Sequence, residues 1–438
     1  MGRRRAARHA SEPGRPAPHR AFEALRIVNY QRFALAFVAS STGLQMLTTA
    51  VLWEVWERTH DALWLGWVGL ARALPVVGLA LVAGHAADVR SRHVILGLTQ
   101  AGFALVAAAF ATASMMGAHP AVFLGILVVS GVVRAFNGPS RASLLPLLVP
   151  EAAFPNAVAC NSGIFQFSAI AGPLLAGGIL RITHEASPVY ICAAGLCACS
   201  AVIAISLKPA PAVRATGGFT VSSMLAGMSH IWKEKTVFGA LTLDLLAVLF
   251  GGATALLPIF ADEILGTGPV GLGLLRAAPF IGALGTAAWL AAKPEMRRAG
   301  PALLASVALF GLCMIGFGLS TSMLLSVILL AVSGAVDNVS VVVRHMLVQA
   351  RTPNHLRGRV SAVNSLFIEC SNELGAFESG LVSRLFGPVI SVVSGGAGTL
   401  LVVAFTAWAF PQLATLGRVT EPRRPVEEVE AESTSTAR

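Results

Sequence analysis

Apolar residues run through most of this chain without the alternation of a half-buried strand or the single stripe of a surface helix. From Gln31 to Trp56, "QRFALAFVASSTGLQMLTTAVLWEVW", the only charges are Arg32 and Glu54, near the two ends. A hydrocarbon core about 30 Å thick takes about 20 apolar residues of helix, and backbone polarity in lipid leaves helices or closed barrels as the options. Long Ala, Leu, Val and Gly runs exclude the barrel. Hydropathy predicts helices over 31–56, 64–86, 93–117, 119–140, 153–181 and 187–208, then over 237–261, 267–292, 298–319, 322–346, 359–386 and 388–411. The expected fold is therefore an all-α membrane protein, twelve transmembrane helices in two six-helix bundles, 31–208 and 237–411. A basic arm (1–30) and an acidic tail (412–438) read as disordered. In the linker 209–236, "SSMLAGMSHIWKEK" sets Leu225, Met228 and Trp232 at helical spacing behind a serine cap. It reads either as an amphipathic helix in the membrane interface or as a frayed connection.

Composition agrees with the pattern. Of 438 residues 55% are hydrophobic and 12% charged, with mean hydropathy +0.72, against about 25% charged in soluble domains. The net charge of +10 does not point to nucleic acid, because the cations sit in short loops and are not gathered on a soluble domain. With the N-terminus cytoplasmic, Arg90, Arg92, Lys233, Lys235, Arg297, Arg298, Arg357 and Arg359 all fall on the cytoplasmic side. The other side keeps Arg58, Arg181 and Arg384. The positive-inside rule then puts both termini of a multi-pass plasma-membrane protein in the cytoplasm. The arm before the first run has no small-residue cleavage site and does not read as a signal peptide. Six cysteines fall inside the runs without metal-ligand spacing, so they read as core fillers, and neither metal nor cofactor is expected.

The chain repeats itself. "GLARALPVVG" (Gly69 to Gly78) returns as "GLLRAAPFIG" (Gly273 to Gly282), so that Arg72 and Pro75 answer Arg276 and Pro279. "VSGVVR" ending at Arg134 answers "VSGAVD" ending at Asp337, Arg141 answers Arg344 and Pro150 answers Pro353, all at an offset of 203. Two homologous halves follow, and where membrane proteins are built from such repeats, binding sites lie near the midplane between them.

Three motifs carry a family resemblance. Gly84-x-x-x-Asp88-x-Arg90-x-Arg92-His93, between the second and third helices, resembles the loop signature of the major facilitator superfamily, with Val89 and Ser91 departing from it. "RAFNG", with Arg134, Asn137 and Gly138, is similar to that family's Arg-x-x-Gln-Gly motif. "GPLLAGG", with Gly172, Pro173, Gly177 and Gly178, resembles the Gly-Pro motif of its proton-coupled exporters, with Ala176 at the first of the paired glycines. "TPNHLRGRVSAVNS" and "NELGAFESG" look most like the branch of transmembrane secretion effectors that includes the enterobactin exporter. The resemblance implies a monomeric secondary transporter that exports a small amphipathic molecule, a drug or siderophore, across the bacterial inner membrane. It also implies the proton gradient as energy source and a conformational latch at Asp88. An importer or facilitator on the same fold is the alternative. An intramembrane enzyme would need a nucleophile or metal constellation, and no His-Glu-x-x-His spacing occurs.

Charges within the runs are costly in lipid and so mark candidate sites. Arg134, Asp244, Asp337, Glu369 and Glu373 are the candidates for the cargo or proton cavity. Arg134 and Asp337 are expected on facing walls, either in a cavity or as a buried network joining the halves. Glu54 is expected at a solvated rim. Glu369 and Glu373, about 40° apart around one helix, share a face, whereas Glu378 is turned about 140° from Glu373. By depth, Glu378 is expected to pair with Arg72 as an outer gate or brace. Arg276 and the motif residues are read as gating or conformational, with the Gly172–Gly178 glycines as close-packing positions.

Overall fold

The computed structural model of the protein describes residues 23–89, 91–210, 221–291, 298–353 and 356–417. The first six long helices are α1 (Val28–Thr59), α2 (Ala62–Val89), α3 (Arg92–Met115), α4 (Pro120–Leu144), α5 (Phe154–Thr183) and α6 (Ser187–Ile205). A short α7 (Val221–Lys233) leads into α8 (Lys235–Phe250), α9 (Gly268–Ala291), α10 (Ala299–Leu319), α11 (Met323–Arg351), α12 (Arg357–Phe386) and α13 (Pro388–Ala409). Asp88 keeps its place at the end of α2, but its side chain, like the whole of Arg90, lies outside the described residues.

Eleven stretches among the described residues are long and apolar enough to cross a membrane. α12 is the twelfth helix of spanning length and fails that test of apolarity because Glu369, Glu373, Glu378 and three arginines lie along its 30 residues. Glu369 and Glu373 each meet an arginine of the first bundle, which makes their charges tolerable. The span that begins with α8 is broken: at Gly251–Gly252 it passes into 3-10 turns (Ala253–Leu256) and, past Pro258, a π turn (Phe260–Ile264). A Cβ at Gly252 would lie 2.8 Å from the carbonyl oxygen of Gly375, so the missing side chain lets α12 press against the break. At the other end of the chain's first helix, His60 takes the left-handed conformation (φ 45°) and its N–H closes on the Trp56 carbonyl at 2.8 Å, stopping α1.

Packing repeats in the two halves. In the first, α3 packs on α6 and α2 on α4; in the second, α10 packs on α13 and α9 on α11. The bundles meet along two antiparallel seams, α2 against α12 and α5 against α9. Rows of exposed leucines and a tryptophan on the peripheral helices (Leu105, Leu312, Leu401, Trp408) are the surface that hydrocarbon covers. α7 buries Ile231 and sets Gly227 against the Arg359 backbone of α12, while Leu225 and Trp232 stay exposed on its other side. Of the six cysteines, Cys197 and Cys313 are buried fillers, but Cys192 and Cys199 are exposed.

We call the side carrying Arg92, Lys233, Lys235, Arg298 and Arg357 the basic face, and its opposite the far face. Near the far face one apolar core runs through both bundles, with Leu47, Trp56, Leu65 and Phe110 joined to Phe260, Leu272 and Phe317. Toward the basic face it divides into two: Tyr30, Phe33 and Leu144 in one bundle, Ile231, Leu243, Leu347 and Val360 in the other. The molecule is thus closed at the far face and parted toward the basic one.

Candidate functional site

α12 positions the charges. Glu373 and Glu369 are four residues apart, on the side of the helix that faces the first bundle, and each meets an arginine there. Arg72 of α2 donates from Nε to Glu373 Oε1 at 3.1 Å and also from Nη2, and the carboxylate is almost wholly buried. One turn toward the basic face, Arg134 of α4 lies with Nε 3.0 Å from Glu369 Oε1 and donates from Nη2 to Oε2 at 3.3 Å. This second pair is open, with side-chain exposures of 44% and 24% against 22% and 6% for the first. Gly69 makes room for the closed pair: a Cβ there would fall 2.7 Å from Glu373 Oε2. At the far end Arg384 reaches Asp61 at 3.5 Å, and Trp56 Nε1 donates to Asp262 at 3.0 Å, both across the bundles.

Several expectations are corrected. Arg72 pairs with Glu373, not Glu378. Leu374, Leu381 and Leu385, exposed toward lipid, mark the outer side of α12, and Glu378 lies about 40° from Leu374 around the helix, so it points away from α2. Among the described residues its polar contact is a marginal one from the Ser379 hydroxyl at 3.5 Å. Arg134 and Asp337 do not share a buried network: both are exposed, and Arg134 pairs with Glu369 of α12. Asp244 does not line a cavity: it is buried on α8 in an ion pair with Arg344 of α11, inside one bundle. Glu54 is not at a solvated rim. It is 4% exposed and accepts from Arg58 (2.5 Å), Ser114 (2.7 Å) and Tyr190 (2.7 Å), while Arg58 also caps carbonyls of Ser114 and Ala118. Nothing in the sequence pattern singled out Tyr190.

The motif residues divide by position. Asn137 is buried and donates to Thr99 of α3 at 3.0 Å, so it holds α4 within its bundle. Gly138 is exposed, and a Cβ there meets nothing. Arg92 caps the end of α4 at the Ser143 carbonyl, 3.2 Å away. Gly84 lies within the last turns of α2. Gly172 packs on Gln45 and Thr42 of α1, whereas Gly177 faces the Pro269 carbonyl of α9, 2.5 Å from a built Cβ, and Pro173 meets Gly273. Gly178 has open space beside it. The exporter-like motif therefore spans two packing surfaces, one inside a bundle and one on the α5–α9 seam.

Two charged groups on the second bundle's wall have no ion-pair partner among the described residues. Asp337 is exposed on α11, within electrostatic reach of the Asp244–Arg344 pair. Arg276 is half-buried on α9 with its Nε enclosed and unpartnered, and it feels the charge of Arg72. Such an arrangement, two repeated bundles closed at one face with charged side chains between them, fits a membrane transporter.

The comparisons with known proteins agree. The model of the Major Facilitator Superfamily matches residues 33–376, and the chain belongs to that family. It is 23% identical over 401 residues to the multidrug efflux pump Tap of Mycolicibacterium fortuitum, covering 88% of this chain and 97% of that protein. It is 25% identical over 377 residues to the enterobactin exporter EntS of Shigella boydii, covering 84% and 88%. Among solved structures it resembles the nucleoside transporter NupG (TM-score 0.66, 14% identity, 88% and 99% covered). It also resembles a D-xylose-proton symporter (TM-score 0.65, 13% identity, 88% and 98% covered). The fold is the family's, and the protein is a multi-pass membrane transporter of small molecules, not an enzyme.

Proposed function

We propose that the protein is a proton-coupled exporter of a small amphipathic molecule, a drug or siderophore, acting as a monomer in the bacterial inner membrane with its basic face cytoplasmic. Relatives named as an efflux pump and an exporter, aligned over most of the chain, support the direction. Their low identity leaves the cargo open. The observation that carries the coupling is Glu373 closed against Arg72 across the two bundles. Opening the far face parts α2 from α12 and leaves a carboxylate without its cation in a poorly hydrated seam. With its cation gone, Glu373 is the site to which the reading assigns a proton from the side that has just opened. Closing the far face returns Arg72 to the same carboxylate and displaces the proton. Glu369 and Arg134, one turn nearer the basic face and open to water, give it a way out. Protons then move inward while cargo loaded from the basic side moves outward, with the gradient as the energy source and no bound cofactor.

The test is transport by the purified protein in proteoliposomes, across a panel of drugs and siderophores, with and without an imposed pH gradient. Accumulation should follow the gradient and lose that dependence in Glu373→Gln. Cargo movement indifferent to the gradient would sink proton antiport, and movement only toward the basic face would make the protein an importer.

A further inference from the structure

The two seams are copies of one another by the 203-residue repeat, and their chemistry differs. On the α2–α12 seam Glu373 and Glu369 neutralise Arg72 and Arg134. The α5 residues standing where those glutamates do are Ile170 and Gln166. Arg276 therefore occupies the place of Arg72 with an isoleucine where the carboxylate belongs. The register bears this out: Gly273 meets Pro173, and the Phe280 ring lies 6.2 Å from that of Phe165, so Arg276 falls between them, opposite Ile170.

Arg276 finds no substitute elsewhere. Its Nε is enclosed with no hydrogen-bond partner, and no carboxylate among the described residues pairs with its guanidinium. Asp337, the other unpaired charge of this wall, makes no ion pair with it among the described residues and lies within electrostatic reach of Asp244 and Arg344. Gln166, one turn from Ile170 on the same side of α5, also has its buried Oε1 unpartnered. Arg72 adds like charge nearby. A half-buried cation without a partner is unfavourable, and an enclosed Nε without an acceptor adds to that cost. The α5–α9 seam thus holds an unmet need for an anion on one helix and an unmet need for a donor on the other, set among Phe165, Ile170 and Phe280.

We infer that Arg276 anchors the cargo, and that the cargo is an anionic amphiphile: an oxyanion group, such as a carboxylate, on an apolar body. The planar guanidinium suits an oxyanion because it can donate two parallel hydrogen bonds. A hydroxyl or amide N–H on the cargo would satisfy Gln166 Oε1. This inference rests on the transporter reading and names the class of its cargo.

Three molecules sharing one apolar body test it: 1-pyrenebutyrate, 1-pyrenebutanol and 4-(1-pyrenyl)butyltrimethylammonium. Binding is read by tryptophan-to-pyrene energy transfer with the full chain in nanodiscs. The butyrate is expected to bind at least about tenfold more tightly than the alcohol, since a charge-assisted pair contributes on that order. Arg276→Gln should remove the preference and Arg276→Lys should keep part of it. Ile170→Glu gives Arg276 the carboxylate that Glu373 gives Arg72, and it should abolish the preference with the arginine still in place. A merely structural arginine would not respond in that way, and a monodisperse elution profile establishes that each variant has folded. Equal binding of the three probes by the wild type overturns the inference, as does a preference that survives both Arg276→Gln and Ile170→Glu. Gradient-driven efflux of the ammonium probe without preference for the butyrate would leave the exporter reading standing and remove only the anion site. Failure of every probe to move in proteoliposomes, with the butyrate still preferred in nanodiscs, would do the reverse.

Discussion

Where α12 crosses α2, two long charged side chains meet and satisfy one another; where α9 crosses α5, one arginine of the same origin stands in register with an isoleucine. Both seams close by the same device, small residues that let backbones touch, yet only the first has a polar interior that is complete. A duplicated fold has therefore kept its mechanical joint twice and its charge compensation once. The first seam carries a contact that must break whenever the far face opens, which suits it to energy coupling. The second is left with a need that only something from outside the chain can meet, which suits it to cargo.

The largest effect expected is from unbalancing the complete seam. Glu373→Ala leaves Arg72 mostly enclosed without its partner, a change that destabilises by about 3 kcal/mol for buried pairs, at the low end of the usual range because Arg72 is 22% exposed. The double variant Arg72→Met with Glu373→Leu should recover most of that loss, since two apolar groups of similar volume remove both desolvation costs. Thermal unfolding in detergent compares them. A double variant no more stable than the single one would mean that the seam is held by the pair itself, and not merely intolerant of half of it. The same substitutions cannot be mirrored at Arg276, where Arg276→Met is expected to be neutral or stabilising because no partner is stranded.

A second contrast concerns the small residues. A Cβ at Gly273 lands 2.6 Å from the Pro173 carbonyl oxygen, a backbone atom that moves only if α5 and α9 separate. At Gly69 the first atom met is Glu373 Oε2, the end of a side chain. Gly273→Ala should therefore cost about 1–3 kcal/mol as overpacking, and Gly69→Ala less, with its effect falling on proton coupling instead. Unfolding midpoints and gradient-dependent transport, measured on both variants, check the two halves of that statement. Equal destabilisation would show that the carboxylate is as rigidly fixed as backbone.

These contrasts also mark how far the sequence could be read. Span length and hydropathy identify the helices, α12 included in spite of its charges, because lipid imposes one solution on the backbone. That Glu369 and Glu373 share a face followed from helical geometry alone, and both indeed meet arginines of the other half. The partners did not follow. Depth along two helices placed Glu378 level with Arg72, but contact also requires azimuth, and the azimuth of α12 is set by where Gly66, Gly69 and Gly380 allow the helices to touch. Repeat symmetry matched Arg134 with Asp337, yet symmetry relates walls that face each other across a gap. Tyr190 and Glu54 were missed as a pair because they are 136 residues apart and each looks ordinary locally. The unmet valences of Arg276 and Gln166 were invisible for the same reason: an absent partner is a property of the packed structure.

The open pair comes next in size. Arg134 and Glu369 are exposed enough to be hydrated, so Arg134→Gln should change stability by no more than about 1 kcal/mol. Its cost should appear in transport, as slower gradient-driven turnover with little change in the unfolding midpoint. A midpoint drop as large as that of Glu373→Ala would show that the two pairs on α12 do the same job.

The smallest effect belongs to the outermost contact of the complete seam. Arg384 lies 3.5 Å from Asp61 with 53% of its side chain exposed, so Arg384→Ala should alter stability by a few tenths of a kcal/mol at most. The contact nevertheless crosses the bundles at the face that is closed, and it breaks each time that face opens. Removing it should shift the balance between closed and open far faces by about twofold, because a few tenths of a kcal/mol is that much in a two-state equilibrium. Salt at about 0.5 M, which screens exposed charges beyond a few ångströms, should produce the same shift in the wild type and none in the variant. Distances between spin labels on the far ends of α2 and α12 report the two populations directly. A salt response that persists in Arg384→Ala would move the electrostatic control of opening to another exposed contact between the bundles, the Arg134–Glu369 pair first.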